Sequence, residues 1–221
     1  MEILKKYFRP IFFYSGLPIL KIIYRRFINQ QRIFILMYHR VDYKMPPLFE
    51  MCVRPDVFDE QIFLLKKHFE IVDLCDLNKI EPDTNKKKDL VVITFDDGYR
   101  DNYIHAFPII KKYNIPATIF LATDYINTDQ LLWYDKLAWI LYMSSSIPDK
   151  KTLHKHNDLG EIYRDIEDFY YPGANSQSDV VRSIIAKLKN VPYKNRENIL
   201  NSLAKICKLD TWPKKEDRVT L

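Results

Sequence analysis

Glycine is scarce in this chain, with four residues among 221. So few glycines leave no material for a glycine-rich phosphate cradle, and neither a Walker nor a dinucleotide-binding pattern occurs, which removes nucleotide chemistry. Cysteine is sparse and odd in number: Cys52, Cys75 and Cys207 show no Cys-x-x-Cys spacing. Such a set builds neither a zinc knuckle nor a disulfide framework, and it suits a reducing compartment. Cys207 continues an apolar helical face and is expected in the core. Long apolar runs are also missing, since Ile11 to Leu20 is broken by Pro18 and is about half the length needed to span a bilayer. No internal repeat or low-complexity tract is visible.

What is present suffices for a folded domain. Hydrophobic residues make up 47% of the chain, enough for one sizeable core. The net charge of +5 is partly explained by the first 32 residues, where Lys5, Lys6, Arg9, Lys21, Arg25, Arg26 and Arg32 punctuate an aromatic and aliphatic stretch. That stretch lacks a small-residue cleavage site and runs on into more basic residues, unlike a signal peptide. It fits a basic amphipathic segment lying on an anionic membrane surface, or equally an N-terminal helix packed on the domain with its charges solvated. Cytoplasmic placement, peripheral on the inner face of the membrane, is the expectation. No recognised nucleic-acid module accompanies the charge, so no nucleic-acid partner is expected.

Beyond this segment, strand and helix patterns alternate. An apolar strand at 33–38 leads to a helix at 56–68 with Phe58, Ile62, Leu65 and Phe69 on one face, then a short strand at 70–73. A Pro- and Lys-bearing loop precedes a strand at 90–95. A helix at about 100–112 carries Pro108, which should kink it, and a strand at 117–121 follows. Such alternation implies α/β architecture with a parallel sheet. After Trp133-Tyr134-Asp135-Lys136-Leu137 the character turns helical: Val180, Val181, Ile184, Ile185 and Leu188 form one stripe, and Ile199, Leu200, Leu203, Ile206 and Cys207 another.

Leu90-Val91-Val92-Ile93-Thr94-Phe95 has the composition of a strand buried on both faces, and it ends in Asp96-Asp97-Gly98. Adjacent carboxylates repel and lose hydration unless a cation or a shared proton compensates. Where the strand breaks at Gly98, both side chains can turn toward one cavity. A metal ligand beside a general base has this layout. So does a turn in which Asp97-Gly98 bends the chain and Asp96 caps the next helix.

The run Thr94-Phe95-Asp96-Asp97-Gly98-Tyr99-Arg100-Asp101-Asn102 resembles the first signature of the NodB-homology polysaccharide deacetylases, carbohydrate esterase family 4. Ile33 to Val41, through Tyr38-His39, is similar to the strand that opens these domains, and Tyr113 to Leu121 to the strand that follows the signature. The resemblance covers about residues 31–142. It implies a partial distorted (β/α) barrel of the polysaccharide deacetylase type, whose site lies at the C-terminal strand ends. It divides the chain into a basic N-terminal segment, 1–30, the first half of the barrel, 31–142, and a helical insertion or lid, 143–221.

The chemistry implied by the resemblance is metal-dependent removal of acetyl groups from N-acetylated sugars. Asp96 then matches the general base and Asp97 a ligand of a divalent metal, zinc. His39, at a strand end near the same place, is a candidate ligand or outer-shell donor, or a hydrogen-bonded strand-end histidine. Tyr99 is a candidate for sugar contact or support, and Trp133 and Tyr134 could stack on sugar rings or be ordinary core aromatics. The family completes its zinc site with His-Ser/Thr-x-x-His, and here no two of His39, His68, His105, His154 and His156 stand four apart. His154 and His156 sit among charged residues and read as a solvated loop. Two readings stand: a truncated deacetylase, weak or inactive as this chain, or a non-catalytic carbohydrate-binding or membrane-surface scaffold.

Overall fold

A computed structural model of the protein describes residues 31–43, 51–80, 88–128, 130–144, 148–155, 159, 162–171, 176–209 and 212. The basic segment 1–30, with its membrane-surface reading, and His156 lie outside the described residues. The described residues form two compact units, 31–43 with 51–121 in one and 122–212 in the other.

The first unit is built on β5, Leu90–Phe95, whose six residues are all buried as the apolar run predicts. Strand β1, Ile33–Tyr38, pairs with it in parallel along its whole length, from Ile33 opposite Leu90 to Tyr38 opposite Phe95. The opposite edge of β5 is shared. Strand β4, Glu70–Ile71, pairs with Leu90 and Val91, while β6, Thr118–Ile119, pairs with Thr94 and Phe95. Every pairing is parallel, as the strand and helix alternation requires. The sheet is open, and no closed barrel is formed among the described residues. A separate parallel pair joins β2, Arg40–Val41, to β3, Cys52–Val53.

Helix α1, Pro55–His68, opens with proline in its first turn, where the missing N–H costs nothing, and closes with Lys66, Lys67 and His68 at the negative end of its dipole. Phe58, Ile62 and Leu65 recur at helical spacing and are buried against Val91, Ile93 and Phe95 of β5. The helix after the Asp-Asp-Gly turn contains one π-helical turn, Asn102–Ala106, before α2, Phe107–Tyr113. Pro108 cannot donate to a carbonyl four residues back, so the widened turn with Phe107 N–H on Asn102 O falls where the proline disturbs the α ladder. Asn114 ends α2 in a left-handed conformation.

Strand β1 departs from the core strand its composition suggests. Ile33, Ile35 and Met37 are 51%, 57% and 60% exposed, while Leu36 and Tyr38 pack on the core. A uniformly apolar strand carries no alternation to say which face is covered, and here one face is open.

The second unit is helical: α3, Trp133–Met143; α4, Lys150–Lys155; α5, Tyr163–Tyr170; α6, Gln177–Lys189; and α7, Tyr193–Ile206. The two stripes read from the sequence are its core, with Val180, Val181, Ile184, Leu188, Leu200, Leu203, Ile206 and Cys207 all buried. Ser176 caps α6 by accepting from Asp179 N–H. No helix among the described residues is long and apolar enough to cross a membrane.

Thiol chemistry offers a check on both units. Cys52 and Cys207 are buried and Cys75 is exposed. Burial also pushes the Cys52 and Cys207 thiols up, away from the reactive thiolate. A disulfide reagent is therefore expected to titrate Cys75 rapidly in the native protein and the other two only after unfolding. Rapid native labelling of Cys207 would contradict this packing.

Candidate active site

Asp96 and Asp97 leave the central strand at its C-terminal end. Asp96 N–H still donates to Tyr38 O at 2.9 Å, the last link between the two strand ends. Asp97 and Gly98 then both take φ of 72°, two successive left-handed residues that reverse the chain. Aspartate tolerates this region better than most residues, and glycine without strain. A Cβ on Gly98 would lie 2.6 Å from Leu121 Cδ2, so the turn is also closely packed from outside. Both carboxylates are half-buried.

Below the turn lies a polar cluster that sequence reasoning did not single out. Asp101, 6% exposed, accepts from Arg40 Nε at 2.7 Å, from Val41 N–H at 3.0 Å and from Asn102 Nδ2 at 3.3 Å. Asn102 Nδ2 also donates to His39 O at 2.9 Å. The Asn102 Oδ1 is buried and has no partner among the described residues, so this amide works through its donor side. The Arg40 guanidinium lies 4.7 Å from the centre of the Tyr99 ring and 3.7 Å from an Asp42 oxygen. Burial pushes the Asp101 carboxyl up, and this outweighs the opposing pull of Arg40 and Val41 N–H. The signal available in the sequence was an arginine two residues after an apolar strand and an aspartate three residues after the glycine of the acidic turn.

Of the sequence-derived candidates, Asp96 and Asp97 are adjacent at the strand end, and His39 follows the neighbouring strand β1. Tyr99 is only 2% exposed and carries Arg40 on its ring, which suits support of the turn rather than stacking against a sugar. Trp133 and Tyr134 belong to the helical unit, where Arg196 covers the Trp133 ring at 4.6 Å. His154 lies in the helical segment Lys150–Lys155. Among the described residues, no group of three or more His, Cys, Asp or Glu side chains is placed to hold a metal ion. A catalytic zinc usually has three protein ligands, so the described donors do not by themselves fit one.

Comparison with known proteins points to one family. The polysaccharide deacetylase family model matches residues 83–162, a segment that contains β5, the Asp-Asp-Gly turn and the polar cluster's Asp101 and Asn102. The poly-beta-1,6-N-acetyl-D-glucosamine N-deacetylase of Staphylococcus epidermidis is 40% identical over 72 residues, 32% of this chain and 25% of that protein. The Staphylococcus aureus (strain MSSA476) protein of the same name is 26% identical over 157 residues, 71% of this chain and 51% of that one. The chain thus spans about half or less of the length of these curated relatives. Among solved structures, the Streptococcus pyogenes deacetylase PplD in complex with acetate aligns over 72% of this chain and 80% of its own, at 22% identity and a TM-score of 0.37. The likeness to the polysaccharide deacetylase family is thus a partial one, carried by residues 83–162 of this chain.

Proposed function

We propose that the chain is a polysaccharide deacetylase-like hydrolase of N-acetylated glycans, with Asp96 as the base that takes a proton from the attacking water and Asp97 as a ligand offered to a divalent metal, zinc. The observation that carries this reading is the pair of half-buried carboxylates on a left-handed turn at the end of the central strand, inside the segment matched by the family. The names of the staphylococcal relatives support polymers of N-acetylglucosamine as the substrate class. In this reading the open parallel sheet is the start of a distorted (β/α) barrel, residues 143–221 are an insertion or lid, and 1–30 makes a peripheral contact at the inner face of the membrane. Because the described residues do not complete a zinc site, this chain alone is expected to be weak or inactive. The same observation favours a second reading, a non-catalytic carbohydrate-binding or membrane-surface scaffold.

Acetate release from N-acetylglucosamine oligomers separates the two. Any zinc-dependent release is expected to vanish in Asp97→Ala. Glycan or liposome binding that needs no metal and survives Asp97→Ala, with no release by the parent, would establish the scaffold instead.

A further inference from the structure

We propose that Arg40, Asp101 and Asn102 are positioning residues, a latch that holds the Asp96-Asp97-Gly98 turn in its left-handed geometry by binding it to the chain segment that follows β1. The proposal rests on the reading of Asp96 and Asp97 as the working pair.

Four hydrogen bonds join residues 38–41 to residues 96–102. Asp96 N–H reaches Tyr38 O on the near side of the turn. On the far side, Asn102 Nδ2 reaches His39 O, and Asp101 accepts from both Val41 N–H and Arg40 Nε. Tyr99 O accepts from Asn102 N–H at 2.9 Å, and the Tyr99 ring lies under Arg40. Between the near anchor at Asp96 and the far anchor at Tyr99 stand only Asp97 and Gly98, the two residues with positive φ. Left-handed backbone at a non-glycine residue persists where its surroundings over-determine it, and these anchors do so from both ends. Beyond Tyr99 the Arg40–Asp101 pair is largely buried, with side chains 12% and 6% exposed, so its partners are held in one geometry. The latch also fixes the His39 carbonyl, and with it the backbone of the histidine next to the site.

The test is an amide NMR comparison of the full chain with Asp101→Asn and with Arg40→Lys, each folded and without zinc or glycan. Asp101→Asn keeps the shape and removes the charge. Arg40→Lys keeps the charge and removes the planar fork and the ring contact. The expected result is displacement of the Asp97, Gly98 and Tyr99 resonances in both variants, with the Leu90–Phe95 amides unmoved as the internal reference. Should Asp101→Asn fail to fold, Arg40→Lys decides alone. Turn resonances that coincide with the parent, accompanied only by a lower unfolding midpoint, would overturn the proposal, because a merely stabilising pair behaves that way. Since neither metal nor substrate is used, metal-independent glycan binding that survives Asp97→Ala, with no acetate release, would overturn the deacetylase reading while a displaced turn leaves the latch standing.

Discussion

Truncating Phe58 to alanine is expected to destabilise the sheet unit by about 3–5 kcal/mol, the range for removing a buried phenylalanine. Phe58 is fully buried on α1 and its ring meets those of Tyr38 and Phe95 at 5.1 and 5.8 Å, so one side chain ties the helix to both β1 and β5. Its loss removes apolar burial, leaves a cavity and breaks two edge-to-face contacts together. The three tryptophans, at 133, 139 and 212, all lie in the helical unit, so their fluorescence is not a local probe of this change. Amide exchange in Leu90–Phe95 reads it directly. Exchange through global opening should quicken by at least about a hundredfold, since each 1.4 kcal/mol is a factor of ten. Unchanged protection would mean that α1 does not support the sheet as the packing indicates.

Arg40→Ala is expected to cost a similar amount, about 3–5 kcal/mol at neutral pH, because it leaves the Asp101 carboxylate buried without its cation. The dependence on pH identifies the cause. Burial already raises the Asp101 carboxyl in the folded state above its unfolded value of about 3.9. Its favourable contribution is therefore complete below the unfolded value and is lost as pH rises through the folded one. Without Arg40 the folded value moves higher still, so ionisation costs the variant more than the parent. The deficit of Arg40→Ala should be largest near pH 7 and shrink once Asp101 holds its proton in both states, below about pH 4. Urea midpoints followed by far-UV circular dichroism at the two pH values measure this. A deficit independent of pH would assign the effect to lost packing on Tyr99 and not to the stranded charge.

The candidate pair was legible because its residues are consecutive. Asp96, Asp97 and Gly98 end a strand whose six residues are apolar or β-branched, and a run of that kind needs no partner to be recognised. The latch was not legible in the same way. Arg40 and Asp101 are 61 residues apart, and each is an ordinary charged residue until the parallel pairing of β1 with β5 brings the two strand ends side by side. Tyr99 illustrates the same limit, since an aromatic beside an acidic turn has the same sequence signature whether it faces solvent or lies beneath an arginine.

The sequence by itself determined the local elements: the doubly buried strand at 90–95, the apolar face of α1, the two helical stripes at 177–189 and 193–206, and the break at Gly98. These follow from periodicity and from residue chemistry that acts within a few positions. Only the tertiary structure decided that β1 lies directly beside β5 with one face exposed, that β4 and β6 share the other edge, and that Asp101 rather than solvent receives Arg40. Those outcomes depend on which segments meet across long stretches of chain, a choice set by the burial and hydrogen bonding of the whole unit, of which a local pattern carries no record.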